Sequence, residues 1–334
     1  MPIGPLSDSH RQISVVEPVS PALERVKLIL FQPFDAGKWF AIGFCAWLAR
    51  LGEAGGVGAH FNNSFSSGNN HASADDLRRF LERAWGFTLH NLDWIIPLAA
   101  FLLLLSLALG ILLLWLNCRG KFMFLHCVAL NKAEIVEPWS QYAGPARSLF
   151  WFRLVLSFIS MALLLPPMGL MAVLVLKMFL AGAPDVASIL LAAALALFAV
   201  LAGVALALIR KFTLDFVVPI QYLRGGRCLD AWAEFWKLLR AHPGLFTLYI
   251  LFQIVIGMAI GVLVLFAILL TCCLAGCLLM IPYIGTVLLL PVLVFKRSFS
   301  LYFLRQFGPA FEVFPPPPPP AAPPSGLAPL PTAP

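Results

Sequence analysis

Arg119-Gly-Lys-Phe122-Met-Phe124-Leu125, Arg210-Lys-Phe212-Thr-Leu214-Asp-Phe216 and Arg297-Ser-Phe299-Ser-Leu301-Tyr-Phe303 each close a long apolar run with a basic residue, a phenylalanine and further hydrophobes. The first phenylalanines of these stretches lie 90 and 87 residues apart (212 − 122 and 299 − 212), and one more step back reaches Phe34. A period of about 88 residues marks a repeated supersecondary unit. Each copy also sets an acidic residue shortly before a tryptophan, ahead of its first apolar run: Asp35 with Trp39, Glu137 with Trp139, Asp230 with Trp232. The unit reads as an interfacial aromatic helix followed by two membrane spans. The expected fold class is therefore all-α: a polytopic membrane helical bundle of about six transmembrane helices, arranged as three pseudo-repeated hairpins with interfacial amphipathic helices.

Composition supports the bilayer. Hydrophobic residues make up 60% of the 334 and charged ones 12%, about half the charged share of a soluble domain. A hydrocarbon layer of ~30 Å takes about 20 apolar residues in a helix. Spans are expected near 37–52, 94–116, 150–180, 187–209, 244–270 and 278–296, with an outer loop over 53–92. The first is the shortest, and Arg50 and Glu53 at its far end leave open whether it crosses or lies in the interface. Residues 1–21 read as a flexible tail, 22–312 as the transmembrane domain and 313–334 as a disordered proline-rich tail.

The net charge of +7 does not imply nucleic acid, because the basic residues cluster beside the spans. Short loops rich in Lys and Arg stay in the cytoplasm. Loops 118–149 and 210–243 and the segment after 295 are basic, whereas 181–187 and 271–280 hold no Lys or Arg. Both termini are thus expected in the cytoplasm.

Chemistry-bearing residues are sparse. Cys272, Cys273 and Cys277 have no His, Asp or Glu nearby in sequence, so they read as apolar filler. His60 and His71 with Asp75 and Asp76 fall in a polar, glycine-rich loop with nothing to fix metal geometry. The spans carry almost no ionisable residue, which weighs against an ion-coupled transporter. Arg153 and Lys177 sit near the ends of one run, where they can snorkel. Pro166-Pro167 is expected to break the third span and Pro282 and Pro291 the sixth, while Gly257 and Gly261 suggest close helix contact. The candidate lipid-facing or gating residues are Trp232, Trp236 and Gln253. In the stretch 228–241, Leu229, Trp232, Trp236 and Leu239 form one apolar stripe opposite Asp230, Glu234 and Lys237. No catalytic residue, metal site or cofactor is expected.

Phe31-Gln-Pro-Phe-Asp-Ala-Gly-Lys-Trp-Phe40, Asp230-Ala-Trp-Ala-Glu-Phe-Trp236 with His242-Pro243, and Lys296 through Gly308 carry a resemblance over about residues 22–307. Here the chain resembles uncharacterised six-helix bacterial membrane proteins related to the membrane domain of some glycerophosphodiester phosphodiesterases. The resemblance implies a bacterial inner (plasma) membrane and no catalytic residues. The phosphodiesterase barrel itself, which takes roughly 200 residues or more, has no segment outside the spans long enough to form it. Membrane lipids are the expected partners, and the proline tail can engage a protein groove. Two functions follow as expectations: a non-enzymatic module or scaffold in the bacterial envelope, or alternatively a transporter or lipid handler with its site between the repeats.

Overall fold

The computed structural model describes residues 13–52, 79, 90–181, 185–271 and 274–314. In chain order the helices are α1 (Val19–Leu30), α2 (Ala36–Arg50), α3 (Leu92–Leu130), α4 (Val136–Gln141), α5 (Ala143–Ala181), α6 (Val186–Phe212), a π-helical turn (Thr213–Val217) and α7 (Val218–Arg224). They continue with α8 (Cys228–Ala241), α9 (Pro243–Leu270), α10 (Leu274–Met280), α11 (Pro282–Leu288), α12 (Leu290–Arg305) and a single 3₁₀ turn, Pro309–Phe311. No strand occurs among the described residues.

Four helices are long and apolar enough to cross a membrane: α3, α5, α6 with its continuation, and α9. The pair α11–α12, bent by 62°, is a fifth candidate. Pro282 and Pro291 open its two segments, as their missing N–H groups favour. Pro166 and Pro167 do not break α5, which runs through both of them. A membrane helix accommodates such residues by small local adjustments.

Local signals set several ends. Asp35 caps α2 by accepting the Gly37 N–H at 2.8 Å. α3 stops at Asn131, which takes the left-handed conformation with φ 59°. The Arg25 guanidinium covers the carbonyls left over at that end, reaching Val128 O at 3.0 Å and Ala129 O at 2.5 Å.

The core lies at one end of the long helices. Residues 117–129 of α3 are buried nearly throughout, as are Phe216 to Gln221 and Ser298 to Leu301, and α1, α2 and the start of α9 pack against them. Its centre is aromatic. Phe216 stacks on Phe235 with centroids 5.2 Å apart and 9° between planes, and Phe246 meets both rings edge-on. Such pairs add cohesion beyond the area they bury.

The spanning portions are the reverse. In the most apolar window of α3 0% of residues are buried, and 6% in each of the other three. Lipid tails cover such surfaces as well as leucine does, so nothing drives these faces together. Exposed Trp94 and half-exposed Trp115 stand 21 residues apart on α3. That is roughly 32 Å of helix, close to the hydrocarbon thickness that interfacial tryptophans bracket.

α2 is 15 residues long, about 22 Å of helix, and it lies beside the C-terminal part of α3. Asn117 Nδ2 donates to Ala49 O and Leu51 O at 2.7 and 2.8 Å, and Lys38 Nζ reaches Asn131 Oδ1 at 2.8 Å. The expected first span is thus a helix of the core, shorter than the four spanning helices. Residues expected in the flanking tails also join that core: Val15 is buried, α1 begins at Val19, and Val313 and Phe314 are buried.

Candidate functional site

Where α6 passes into α7, the chain inserts a π-helical turn. The wider turn disturbs the regular backbone pattern, a feature frequent at functional positions. Two side chains satisfy carbonyls here: Thr213 Oγ1 donates to Ile209 O at 2.6 Å, and Arg297 Nη1 donates to Leu214 O at 2.6 Å.

The same turn carries Asp215. Its Oδ2 is shared by Lys211 Nζ at 2.8 Å and the Tyr249 hydroxyl, which donates at 3.0 Å. Gln253 Nε2 then donates to the Tyr249 oxygen at 3.1 Å. Lys296 lies within electrostatic reach of Lys211, Arg50 and Asp215, and Arg297 within reach of Asp215 and Tyr249. This chain of groups ties α6, the π turn, α9 and α12 together at the level where the helices change from exposed to buried. It clamps these elements, with the Asp215 carboxylate held between a cation and a phenol.

A second polar layer adjoins it. Arg153 Nη1 donates to Asn117 Oδ1, and Arg210 Nη2 donates to Ser160 Oγ at 3.3 Å, while that hydroxyl donates to Leu156 O at 2.7 Å. Arg119 lies between Trp115 and Trp139, its guanidinium carbon 4.9 and 4.8 Å from the two ring centroids, and donates to Trp139 O at 2.7 Å. Cations and tryptophans therefore share one level, as they do at a membrane boundary.

The three candidate residues have different surroundings. Gln253 is buried in the network just described. Trp232 is half-buried, with Phe152 and Phe235 at 6.1 and 5.6 Å, and its Nε1–H has no hydrogen-bond partner. Trp236 points outward, 45% exposed, with Arg240 5.1 Å over its ring. On α8 the Leu229–Trp232–Trp236–Leu239 stripe is half-buried to exposed, and another face packs inward. Cys228, Ala231 and Phe235 form the buried face and Leu229 is exposed, because the phenylalanine cluster draws Phe235 inward.

Asp215, Tyr249 and Arg297 are the residues that sequence reasoning passed over as site members. Asp215 and Arg297 belong to two copies of the repeated motif, and that is the signal that pointed to them. Gly257 and Gly261 have no neighbour within 4 Å of a Cβ built on either, so the expected helix contact does not form within the chain. His60, His71, Asp75, Asp76, Cys272, Cys273 and the proline tail lie outside the described residues. Among the described ones no cluster of three or more His, Cys, Asp or Glu is arranged to hold a metal.

An all-helical chain with four or five helices fit to cross a bilayer, cohering through an aromatic core at one end, is consistent with a membrane-embedded protein. The chain belongs to DUF7544, a family of unknown function whose pattern matches residues 13–291. No curated protein and no solved structure matches it.

Proposed function

We propose that this chain is a non-enzymatic, multi-pass scaffold of the bacterial inner membrane, with its working surface at the inner leaflet. The observation that carries the reading is the Lys211–Asp215–Tyr249–Gln253 network, in which the Tyr249–Asp215 bond joins α9 to the π turn. Side chains engaged with one another in this way rigidify the helices they join.

The proposed topology has six crossings, three pseudo-repeated hairpins and both termini in the cytoplasm. Gln306 bonds to Ser14 at both of its amide ends, so the two ends of the described chain share a side. That contact supports an even number of crossings. Counting α11–α12 as one, five spanning candidates are on hand, and the sixth crossing of the proposal is the short stretch near 37–52. Kinship with the membrane domain of glycerophosphodiester phosphodiesterases belongs to the same proposal.

The alternative, a lipid handler with a site between the repeats, draws on the uncovered apolar spans. Reconstitution into vesicles carrying a fluorescent phospholipid separates the two. With an impermeant quencher outside, a scaffold leaves lipid exchange between leaflets at the protein-free rate. Exchange accelerated by the protein would overturn the scaffold reading.

A further inference from the structure

Cys45 of α2 and Cys127 of α3 lie with their sulfur atoms 3.9 Å apart, both fully buried, although 82 positions separate them in the chain. Polar contacts hold the two helices together on either side of this pair. Toward one end Asn117 Nδ2 donates to Ala49 O and Leu51 O at 2.7 and 2.8 Å, and toward the other Lys38 Nζ donates to Asn131 Oδ1 at 2.8 Å. Gly120 sits against the backbone of Leu48 and Ala49 with no room for a Cβ. The backbones thus run close enough for side chains as short as cysteine to meet, which is the first requirement for a disulfide.

The surroundings of the pair narrow its chemistry. Cys127 Sγ also lies 3.6 Å from Glu134 O, so its thiol proton has two acceptors, that carbonyl and the Cys45 sulfur. Among the described residues no third His, Cys, Asp or Glu joins the two in a group arranged to hold a metal, and the pair is therefore read as a dithiol. The sulfurs are about 2 Å farther apart than in a disulfide, a gap on the scale of side-chain rotation rather than helix movement. Burial selects the oxidant: bulky or charged reagents are kept out, whereas a peroxide is small and uncharged.

We propose that Cys45 and Cys127 form a peroxide-sensitive dithiol whose disulfide latches α2 to α3. One sulfur, as its thiolate, attacks an oxygen of hydrogen peroxide; the O–O bond breaks, hydroxide leaves, and the sulfur becomes a sulfenic acid. The other thiol then attacks that sulfur, the S–O bond breaks, and water leaves. In sum, two thiols and one hydrogen peroxide give one disulfide and two waters: the sulfurs lose two electrons, and both thiol protons end in water. A small dithiol reverses the bond by exchange. Because the link joins residues 82 positions apart, it restricts the unfolded chain strongly, and the oxidised protein is the more stable form. Neither the side of the membrane nor the scaffold role enters this chemistry.

The test is peptide mapping of the purified full chain in detergent after graded treatment with hydrogen peroxide. Remaining thiols are alkylated with iodoacetamide in denaturant, and digestion proceeds without reductant. Wild type should yield two peptides joined through Cys45 and Cys127, lighter than the free pair by two hydrogens, and dithiothreitol should separate them. The oxidised chain should melt at a higher temperature than the reduced one, and Cys45→Ala should abolish both the link and the shift. Alkylation of both residues after peroxide treatment, a link from either to a different cysteine in place of their own, or oxidation of one to a sulfinic acid without a link overturns the proposal. An oxidised chain that carries the link yet melts no higher than the reduced one overturns the latch. The wild-type map decides the question even where the alanine variant fails to fold.

Discussion

The side-chain amide of Gln306 accepts the N–H of Ser14 at 2.7 Å and donates to the carbonyl of the same residue at 2.9 Å, bridging 292 positions of the chain. The bond fixes the segment before α1 against the end of α12, and Tyr302 stacks on Phe314 beside it with centroids 4.5 Å apart. Both ends of the described chain therefore lie on the side where the basic loops collect.

Thiol labelling checks the side. Cysteines introduced by Ser67→Cys and Ser325→Cys in a background without the native seven should differ toward an impermeant reagent on intact spheroplasts: position 67 labels and position 325 is protected. Labelling of position 325 alone, or equal protection of both, contradicts the proposed topology.

Removing the Asp215 carboxylate should be the most damaging polar change. Asp215→Asn leaves Lys211 without its counter-ion and keeps a weaker acceptor for Tyr249. Breaking one side of a fully buried pair costs roughly 3–5 kcal/mol. The partial exposure of Lys211 lowers the expectation to about 2 kcal/mol. Tyr249→Phe should cost about 1–2 kcal/mol, and the double variant less than the sum, because both changes sever one network. Melting in a fixed detergent measures all three, and strict additivity would show the two groups acting separately.

Much of this architecture was legible because a bilayer imposes a coarse rule. The runs at 94–116, 150–180, 187–209 and 244–270 all fall within helices. What hydropathy missed was how far helices continue past the membrane. α3 reaches Leu130, fourteen residues beyond the expected end (130 − 116). Asn117, Lys121 and His126 make that stretch read as loop, while α1 and α2, distant in sequence, bury it. The π turn was equally hidden, since an inserted residue leaves the local pattern of Phe212 to Val217 unchanged. The site was legible only at Gln253; its meaning depends on Tyr249, Asp215 and Arg297, which three-dimensional packing alone assembles.

Two glycine positions give opposite expectations. A Cβ at Gly120 would lie 2.5 Å from the carbonyl carbon of Leu48, so α2 and α3 touch backbone to backbone there. Gly120→Ala should force them apart at a cost of about 1–3 kcal/mol, seen as a clear fall in melting temperature. Gly257→Leu with Gly261→Leu should leave the melting temperature of the detergent-solubilised monomer unchanged, because that surface is open. A large fall for the second pair would show that α9 meets another protein surface through these glycines.

Cys228 offers a pH-dependent reading outside the spans. It is buried at the start of α8, its N–H donating to Ser148 Oγ at 2.9 Å. Burial, reinforced by the nearby Cys118, pushes its thiol from an ordinary 9.0 up to about 12. The folded state thus prefers the protonated form. Its contribution to stability is fully present below the unfolded value near 9 and is lost as pH rises toward 12. The folded chain should therefore keep Cys228 inert to a maleimide at pH 8, where exposed Cys277 reacts. Chemical stability should fall between pH 9 and 12, and Cys228→Ala should flatten that fall by about 1 kcal/mol or more. The measurement is denaturant or thermal unfolding of wild type and variant at several pH values, with mass mapping of the labelled thiol. Rapid modification of Cys228 at pH 8 in the folded chain, or an identical pH dependence in the variant, would remove this residue as the source.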